Sequence, residues 1–230
     1  MDRNGRAILL GVCLADAYLN VRKRKAPDGA YKYESAEMRV VHSITQLEYC
    51  KHKAELVRSV LGGRFSVKEY DHSPPAMQGK SYRMCGFSVS NGYWKTVKPW
   101  LYPNGRKTYT REYLEKCDLH SAALWYMDDG HLRKHVNTEG WISSCGMDLS
   151  TMCSQQEAEV IREWFAGLIG IEWRIRVDPR FADDRNRYLQ VNTKDARKLG
   201  EALLPFAHKS MLYKFAHVAD LGSTSAGHLT

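Results

Sequence analysis

Two short stretches of this sequence predict its fold. Residues 9–17 are Leu-Leu-Gly-Val-Cys-Leu-Ala-Asp-Ala, and residues 122–130 are Ala-Ala-Leu-Trp-Tyr-Met-Asp-Asp-Gly. Each is an apolar run that closes on an aspartate, Asp16 in the first and Asp129 in the second, 113 residues further on. An acid on an otherwise apolar helix is costly unless it has a partner. The repeat predicts two related halves, each opened by a buried helix that ends in an acid.

The rest of the chain repeats one order of elements, read from apolar periodicity and from Gly, Pro and capping signals. In the first half the pattern predicts helices over 7–19, 46–61 and 91–101 and strands over 37–44, 64–70 and 82–89. In the second half it predicts helices over 121–130, 154–168 and 193–204 and strands near 141–143, 148–152, 172–177 and 188–192. Turns are expected at 27–29 and 73–79.

These elements predict an α+β chain of two pseudo-twofold αββαββα subdomains with antiparallel sheets. We place the subdomains at 1–115 and 116–220 and expect a disordered tail over 221–230. Ala7, Gly11 and Ala15 form a stripe of small residues on the first helix, which would let a second helix approach closely. The second apolar helix is the expected partner at the seam.

Composition excludes several classes of protein. No uncharged run approaches the ~20 apolar residues of a membrane helix, and no signal peptide is expected. None of the six cysteines forms a C-x-x-C pair, which favours buried thiols in a reducing compartment, such as a bacterial or phage cytoplasm or an organelle. The net charge is +9 over residues 1–115 and −1 over 116–230, so the first half is suited to a polyanion.

The alternating strands place polar side chains opposite the core. Outward positions carry residue types that contact phosphates and base edges: Arg64, Ser66, Lys68, Tyr70, Arg174, Arg176, Tyr188, Gln190 and Asn192. A half-solvated sheet alternates in the same way without any ligand. Further candidates for DNA contact are Arg22, Arg24, Arg39, Arg83, Arg185 and Arg187.

Both apolar stretches resemble the LAGLIDADG motif, and Trp-Tyr-Met-Asp-Asp-Gly is distinctive of the monomeric, two-motif branch of LAGLIDADG homing endonucleases. Arg106-Lys107-Thr108 and Met211-Leu212-Tyr213-Lys214 look similar to further family segments. The second copy departs from the consensus at Leu124 and Asp128, where the motif has small residues. The resemblance implies a saddle of two sheets over DNA, with the motif helices paired at its seam.

The resemblance also implies the chemistry. Asp16 and Asp129 would ligate Mg²⁺, with Mn²⁺ as a substitute, and the carbonyls of Ala15 and Asp128 would join them. Lys107 and Lys214 resemble the family's paired catalytic lysines, with Arg106 as the rival of Lys107. Gln46 and Gln190 are weaker candidates for polar support. Nine histidines show no metal-binding spacing.

The expected function is site-specific cleavage of double-stranded DNA by a monomer, at a long asymmetric target and with 3′ overhangs. One alternative is a LAGLIDADG maturase that binds intron RNA and assists splicing. A second alternative is a DNA-binding regulator that does not cut. Dependence on Mg²⁺ and on both acids separates the nuclease from a protein that only binds.

Overall fold

A computed structural model describes residues 1–25, 29, 31–73, 80–140 and 142–219. Much of the two predicted turns, Trp141 and the predicted tail lie outside these residues. The chain divides into two compact units, Met1–Arg106 and a second that begins at Lys107. The sequence placed this boundary nine residues later, between 115 and 116.

The first unit contains three helices and four strands among its described residues. They are α1 (Arg3–Leu14), β1 (Ala17–Lys25), β2 (Tyr31–Ser43), α2 (Leu47–Leu61), β3 (Lys68–His72), β4 (Tyr82–Ser90) and α3 (Tyr93–Leu101). A 3-10 turn, Ile44–Gln46, joins β2 to α2.

The second unit repeats this order after the short helix α4 (Arg111–Leu114). Its elements are α5 (Leu119–Asp129), β5 (Gly130–Val136), β6 (Ile142–Cys153), α6 (Gln155–Ile169), β7 (Arg174–Val177), β8 (Arg187–Val191) and α7 (Thr193–Leu203). The 3-10 segments Leu204–Phe206 and Lys209–Phe215 and the short helix α8 (Ala216–Ala219) follow.

Each unit has one four-stranded antiparallel sheet, and the two sheets have the same topology. The strand order is β1-β2-β4-β3 in the first and β5-β6-β8-β7 in the second. On the core face of the first, Leu19 pairs with Met38 and Met38 with Val89. On the core face of the second, Leu132 pairs with Met147 and Met147 with Val191. The α+β fold class and the αββαββα repeat are confirmed.

Helix α1 is shorter than the sequence predicted. Asp2 caps its first turn by accepting a hydrogen bond from the Gly5 amide at 2.7 Å, and every residue from Ala7 to Leu14 is buried. The predicted helix ran on to Leu19, which is wrong, because β1 already begins at Ala17. Ala17 and Leu19 are buried while Tyr18 between them is exposed, which is the two-residue period of a strand.

Strand bounds differ from the predictions where apolar alternation was weak. The predicted strand over 64–70 forms only from Lys68, and β5 was hidden in a run of polar residues after Gly130. By contrast, the Ser154–Glu157 capping box opens α6, and Gly170 ends it in the left-handed region at φ 63°. That prediction is confirmed to within one residue at each end.

All six cysteines lie in the described part of the chain, none forms a disulfide, and five are buried. This confirms the expectation of buried thiols. Within the described ranges no helix combines the length and the apolar character needed to cross a bilayer.

Gly130 permits the turn from α5 into β5. A Cβ at this position would lie 2.3 Å from the Tyr126 carbonyl oxygen and 2.4 Å from its ring. We expect Gly130→Ala to lower the free energy of unfolding by about 1–3 kcal/mol, because the backbone itself must shift. Gly167→Ala is the matched control in α6, where an added Cβ meets nothing within 4 Å. It should stabilise the protein by about 0.5–1 kcal/mol. Urea unfolding measures both, and equal effects would contradict the prediction.

Candidate metal centre and nucleic-acid interface

The acid of the first motif stands where α1 has ended and β1 is about to begin. The Asp16 side chain is 39% exposed, and its Oδ2 lies 3.3 Å from Nδ1 of His42 on β2. The His42 side chain is only 1% exposed. The carboxylate is therefore open to solvent while a buried imidazole approaches it from within the unit.

His42 is held by α2 and by the turn before it. Its Nδ1 lies 3.1 Å from Gln46 Oε1, and its Nε2 lies 3.2 Å from Nζ of Lys53. Lys53 is fully buried, and its ammonium lies 5.0 Å from the centre of the Tyr49 ring. Sequence reasoning missed His42 and Lys53, because neither lies in a motif.

The acid of the second motif is the last residue of α5. The indole Nε1 of Trp125, one turn earlier on the same helix, donates to Asp129 Oδ2 at 3.2 Å. Tyr109 stacks on Trp125 with ring centroids 4.9 Å apart. Burial, together with the nearby negative charge of Asp129, raises the pKa of Tyr109 well above its usual value. Asp129 therefore lies close to the aromatic side chains of Trp125 and Tyr109.

Lys214 satisfies backbone carbonyls at the end of α5. Its Nζ donates to the carbonyl oxygens of Met127 at 2.6 Å and Asp128 at 2.9 Å, and the side chain is buried. The last four carbonyls of a helix have no partner within it, and a positive charge there also suits the helix dipole. Lys107 is half-buried, and Arg106 is exposed at the end of the first unit.

The donor set at each motif fits a hard divalent cation. Each motif offers a carboxylate, Asp16 or Asp129, preceded by a backbone carbonyl, that of Ala15 or Asp128. Both carboxylates are at least partly accessible. Shared ligation by the two acids stays a prediction.

The outer face of the first sheet carries most of the predicted contacts of that unit. Residues that pair directly across antiparallel strands share a face. Arg39 pairs with Tyr18 and with Ser88, and Lys68 pairs with Gly86 two positions along β4. An open groove of about 910 Å³ follows this face, and its lining includes Arg39, Arg64, Ser66, Lys68 and Tyr70. Arg22 is exposed on β1, and the side chain of Arg24 lies outside the described part.

Arg83 lies on the other face of the same sheet. It pairs with Asp71 across β3 and forms a 3.0 Å ion pair with Glu69, while Lys68 and Tyr70 alternate with these acids. We therefore omit Arg83 from the candidate interface.

The outer face of the second sheet carries Arg174, Arg176, Tyr188 and Gln190. Arg174 pairs with Gln190 and Arg176 with Tyr188. Arg176 Nε donates to Gln190 Oε1 at 3.3 Å. Asn192 is exposed, and its side chain caps α7 by accepting from the Asp195 amide.

Sequence reasoning missed Arg133 on this face. Arg133 Nη1 donates to both carboxylate oxygens of Asp148, at 2.6 and 2.9 Å. Its guanidinium covers Gly146, where a Cβ would lie 2.3 Å from Nη2. Such pairing holds an arginine in a fixed direction, which suits recognition of a base edge or a phosphate. Arg133 could have been found from the alternation of the polar residues His131, Arg133 and His135 with buried Leu132, which indicates a strand with a polar outer face.

Arg185 and Arg187 lie toward the helices. Arg185 forms a largely buried ion pair with Glu157 of α6 and donates to the Lys107 carbonyl at 2.9 Å. Arg187 donates to Gln155 Oε1 at 2.9 Å. These contacts give both arginines structural roles, and we omit them from the interface.

The fold and the paired acids define a class of protein: a single chain that builds one αββαββα unit twice, each with an acid directly ahead of its first strand. A profile described as the LAGLIDADG DNA endonuclease family matches residues 6–199. The chain belongs to this family. Curated proteins gave no significant sequence match.

Three solved structures place the fold among enzymes of this kind. The homing endonuclease I-WcaI, bound to its DNA recognition sequence, has a TM-score of 0.72 at 15% identity, covering 93% of this chain and 86% of its own. The meganuclease I-SmaMI bound to uncleaveable DNA has a TM-score of 0.55 at 12% identity, and the match covers 98% of this chain and 91% of its own. I-DmoI in complex with DNA and Mn has a TM-score of 0.50 at 12% identity, and the match covers 90% of this chain and 99% of its own. At these identities the likeness concerns the fold.

Glu157 should contribute acid-sensitive stability. Burial opposes its ionised form, yet bonds from Ser154, Arg185 and the Tyr109 amide hold its pKa below the usual value. A lowered folded-state pKa gives stability that is present above the unfolded pKa, about 4.3, and is lost as pH falls through the folded value. We expect Glu157→Gln to lower the free energy of unfolding by about 3–5 kcal/mol at pH 7, because it removes the carboxylate that neutralises the largely buried Arg185 charge.

Urea unfolding between pH 3 and 7 measures this effect. The difference between wild type and Glu157→Gln should shrink toward pH 3. Glu172→Gln, at an exposed position, is the control and should stay within about 0.5 kcal/mol of wild type. A constant difference at every pH would exclude a role for the Glu157 charge.

Proposed function

We propose that this protein is a site-specific, double-strand DNA homing endonuclease that hydrolyses phosphodiester bonds with Mg²⁺ or Mn²⁺. The observation that carries the proposal is the double occurrence of one arrangement. In each unit an aspartate, Asp16 or Asp129, stands between a buried helix and the first strand of a sheet whose outer face is polar and basic. A nuclease that cuts two strands needs two such centres.

The proposed metal ligands are the carboxylates of Asp16 and Asp129 and the carbonyls of Ala15 and Asp128. A bound divalent cation would supply an activated water and charge stabilisation at the leaving oxygen. Lys214 fixes the Met127 and Asp128 carbonyls, so we assign it first to ordering this ligand. Lys107 remains the candidate for stabilising charge on the phosphate.

The outer faces of the two sheets are proposed to read the two halves of the target. Their residues differ, so the target should be asymmetric, with a length on the order of two helical turns. The family resemblance supports cleavage across the minor groove with 3′ overhangs and action as a monomer. A reducing compartment would fit the buried thiols.

We expect a single staggered cut when a large duplex library that includes intronless host sequence is incubated with protein and Mg²⁺. EDTA, Asp16→Asn and Asp129→Asn should each abolish the cut, because each removes a ligand or the metal. Asp184→Asn, an exposed acid in a loop of the second unit, is the charge-matched control and should retain activity. Sequencing of the cleaved ends gives site and stagger.

Folded wild-type protein that binds DNA but never cuts it would overturn the nuclease proposal in favour of a regulator. Specific binding to intron RNA that promotes splicing, without DNA cleavage, would favour the maturase. Both outcomes are read with the same preparation by gel shift and a splicing assay.

Arg39 and Arg83 provide a matched pair for the interface, since they lie on opposite faces of one sheet. We expect Arg39→Ala to weaken DNA binding and to lower the slope of log affinity against log salt by about one. Arg83→Ala should leave both unchanged, because its guanidinium pairs with Glu69 away from the outer face. Fluorescence anisotropy from 50 to 300 mM KCl measures this. Equal losses in the two variants would exclude the assigned face.

A further inference from the structure

We propose that Lys53 and His42 are positioning residues for the first metal-binding acid, Asp16. The second, Asp129, is positioned by a different side chain, that of Trp125. This rests on the proposed function. The chain of contacts runs from the buried Lys53 Nζ to His42 Nε2 at 3.2 Å, and from His42 Nδ1 to Asp16 Oδ2 at 3.3 Å. We call these three residues the Lys53–His42–Asp16 chain.

The donors and acceptors of this chain fix the state of the imidazole. An ammonium carries only donors, so Nε2 of His42 must accept from Lys53. A neutral imidazole then carries its proton on Nδ1, which faces the acceptors Asp16 Oδ2 and Gln46 Oε1. This proton is placed to be shared between Gln46 Oε1 at 3.1 Å and Asp16 Oδ2 at 3.3 Å, so His42 approaches the carboxylate from a fixed direction.

Burial argues that Lys53 is there for a purpose other than packing. A fully buried ammonium is expensive unless it is well hydrogen-bonded. The second unit shows that the fold does not require it. Helices α2 and α6 both have 15 residues, and the seventh is Lys53 in one and the fully buried Ile161 in the other.

His42 is likewise absent from the second unit. Val40 pairs with the first residue of β1, and Leu149 pairs with the first residue of β5, so Thr151 occupies the place of His42. Thr151 turns its hydroxyl to the Arg187 carbonyl at 2.9 Å. Asp129 instead receives the indole N–H of Trp125, whose place four residues before Asp16 is taken by Val12. Thr151 and Val12 therefore supply neither the imidazole nor the indole contact at the corresponding places of the other unit.

The consequence is a difference between the two cleavage events. Groups that orient a metal-ligating carboxylate typically change metal affinity or activity by about 10–100-fold when removed. Loss of the Lys53–His42–Asp16 chain should weaken the first centre and spare the second. Loss of the Trp125 donor should do the reverse. The expected phenotype is a nicking enzyme, selective for one strand.

Single-turnover cleavage with each strand labelled separately tests this. We expect Lys53→Met and His42→Leu to slow the same strand at least tenfold, with DNA affinity unchanged and the other strand within twofold of wild type. His42→Asn keeps an N–H near the position of Nδ1 and should restore most of the rate. Trp125→Phe should slow the opposite strand. Lys51→Met, an exposed lysine on the same helix, is the control and should cut both strands normally.

Two readouts do not depend on cleavage. Nitrogen-15 NMR of the His42 ring should show a protonated Nδ1 and an accepting Nε2, both with and without Mg²⁺, and Lys53→Met should perturb Nε2. Calorimetric titration with Mn²⁺ should show weakened binding in His42→Leu and wild-type binding in Lys51→Met. Urea unfolding identifies any variant that is not folded.

The outcomes separate the two proposals. Equal slowing of both strands by folded His42→Leu, or a proton on Nε2, would overturn the positioning role. Loss of the Nδ1 proton on adding Mg²⁺ would also overturn it, by making His42 a ligand. If wild type never cuts DNA but the tautomer and Mn²⁺ results hold, the proposed function fails and the support of Asp16 stands.

Discussion

The structure depends on a carboxylate placed at the C-terminal end of a buried helix. A helix dipole disfavours negative charge at that end, so each carboxylate benefits from a nearby donor or cation. In both units the helix ends at or just before the acid, a strand starts immediately after it, and a nitrogen-bearing ring lies beside the carboxylate. In the first unit this ring is His42 on the neighbouring strand, 3.3 Å from Asp16, and in the second it is Trp125 on the helix itself.

This constraint explains why the two sheets begin where they do. Because β1 and β5 start directly beside the acids, the outer faces of the sheets continue away from the candidate centres. The side chains on those faces are not equivalent. Arg39 and Lys68 line an open groove on the first sheet, whereas Arg133 on the second is held over Gly146 by Asp148. A repeated fold thus carries two different reading surfaces.

Basic residues that look alike in the sequence have different roles in the structure. Arg83 and Arg185 were both expected at the DNA interface, yet one pairs with Glu69 on the other face and one is buried against Glu157. Lys214 was expected as one of the paired catalytic lysines, and the structure shows that its ammonium satisfies the carbonyls at the end of α5. Strand parity and the neighbouring elements decide such roles, and for Arg83 the strand β4 was predicted while its face was not assigned.

The sequence by itself determined the two acids, the repeated order of elements, the α+β class and the family, because motif, periodicity and capping are local signals carried by consecutive residues. The α6 capping box is the clearest case, since every partner lies within four positions. Only the tertiary structure decided the end of α1, the face of Arg83 and the support of Asp16. Lys53 and His42 lie 11 positions apart on different elements and meet only because β2 packs against α2, a relation that no local pattern encodes.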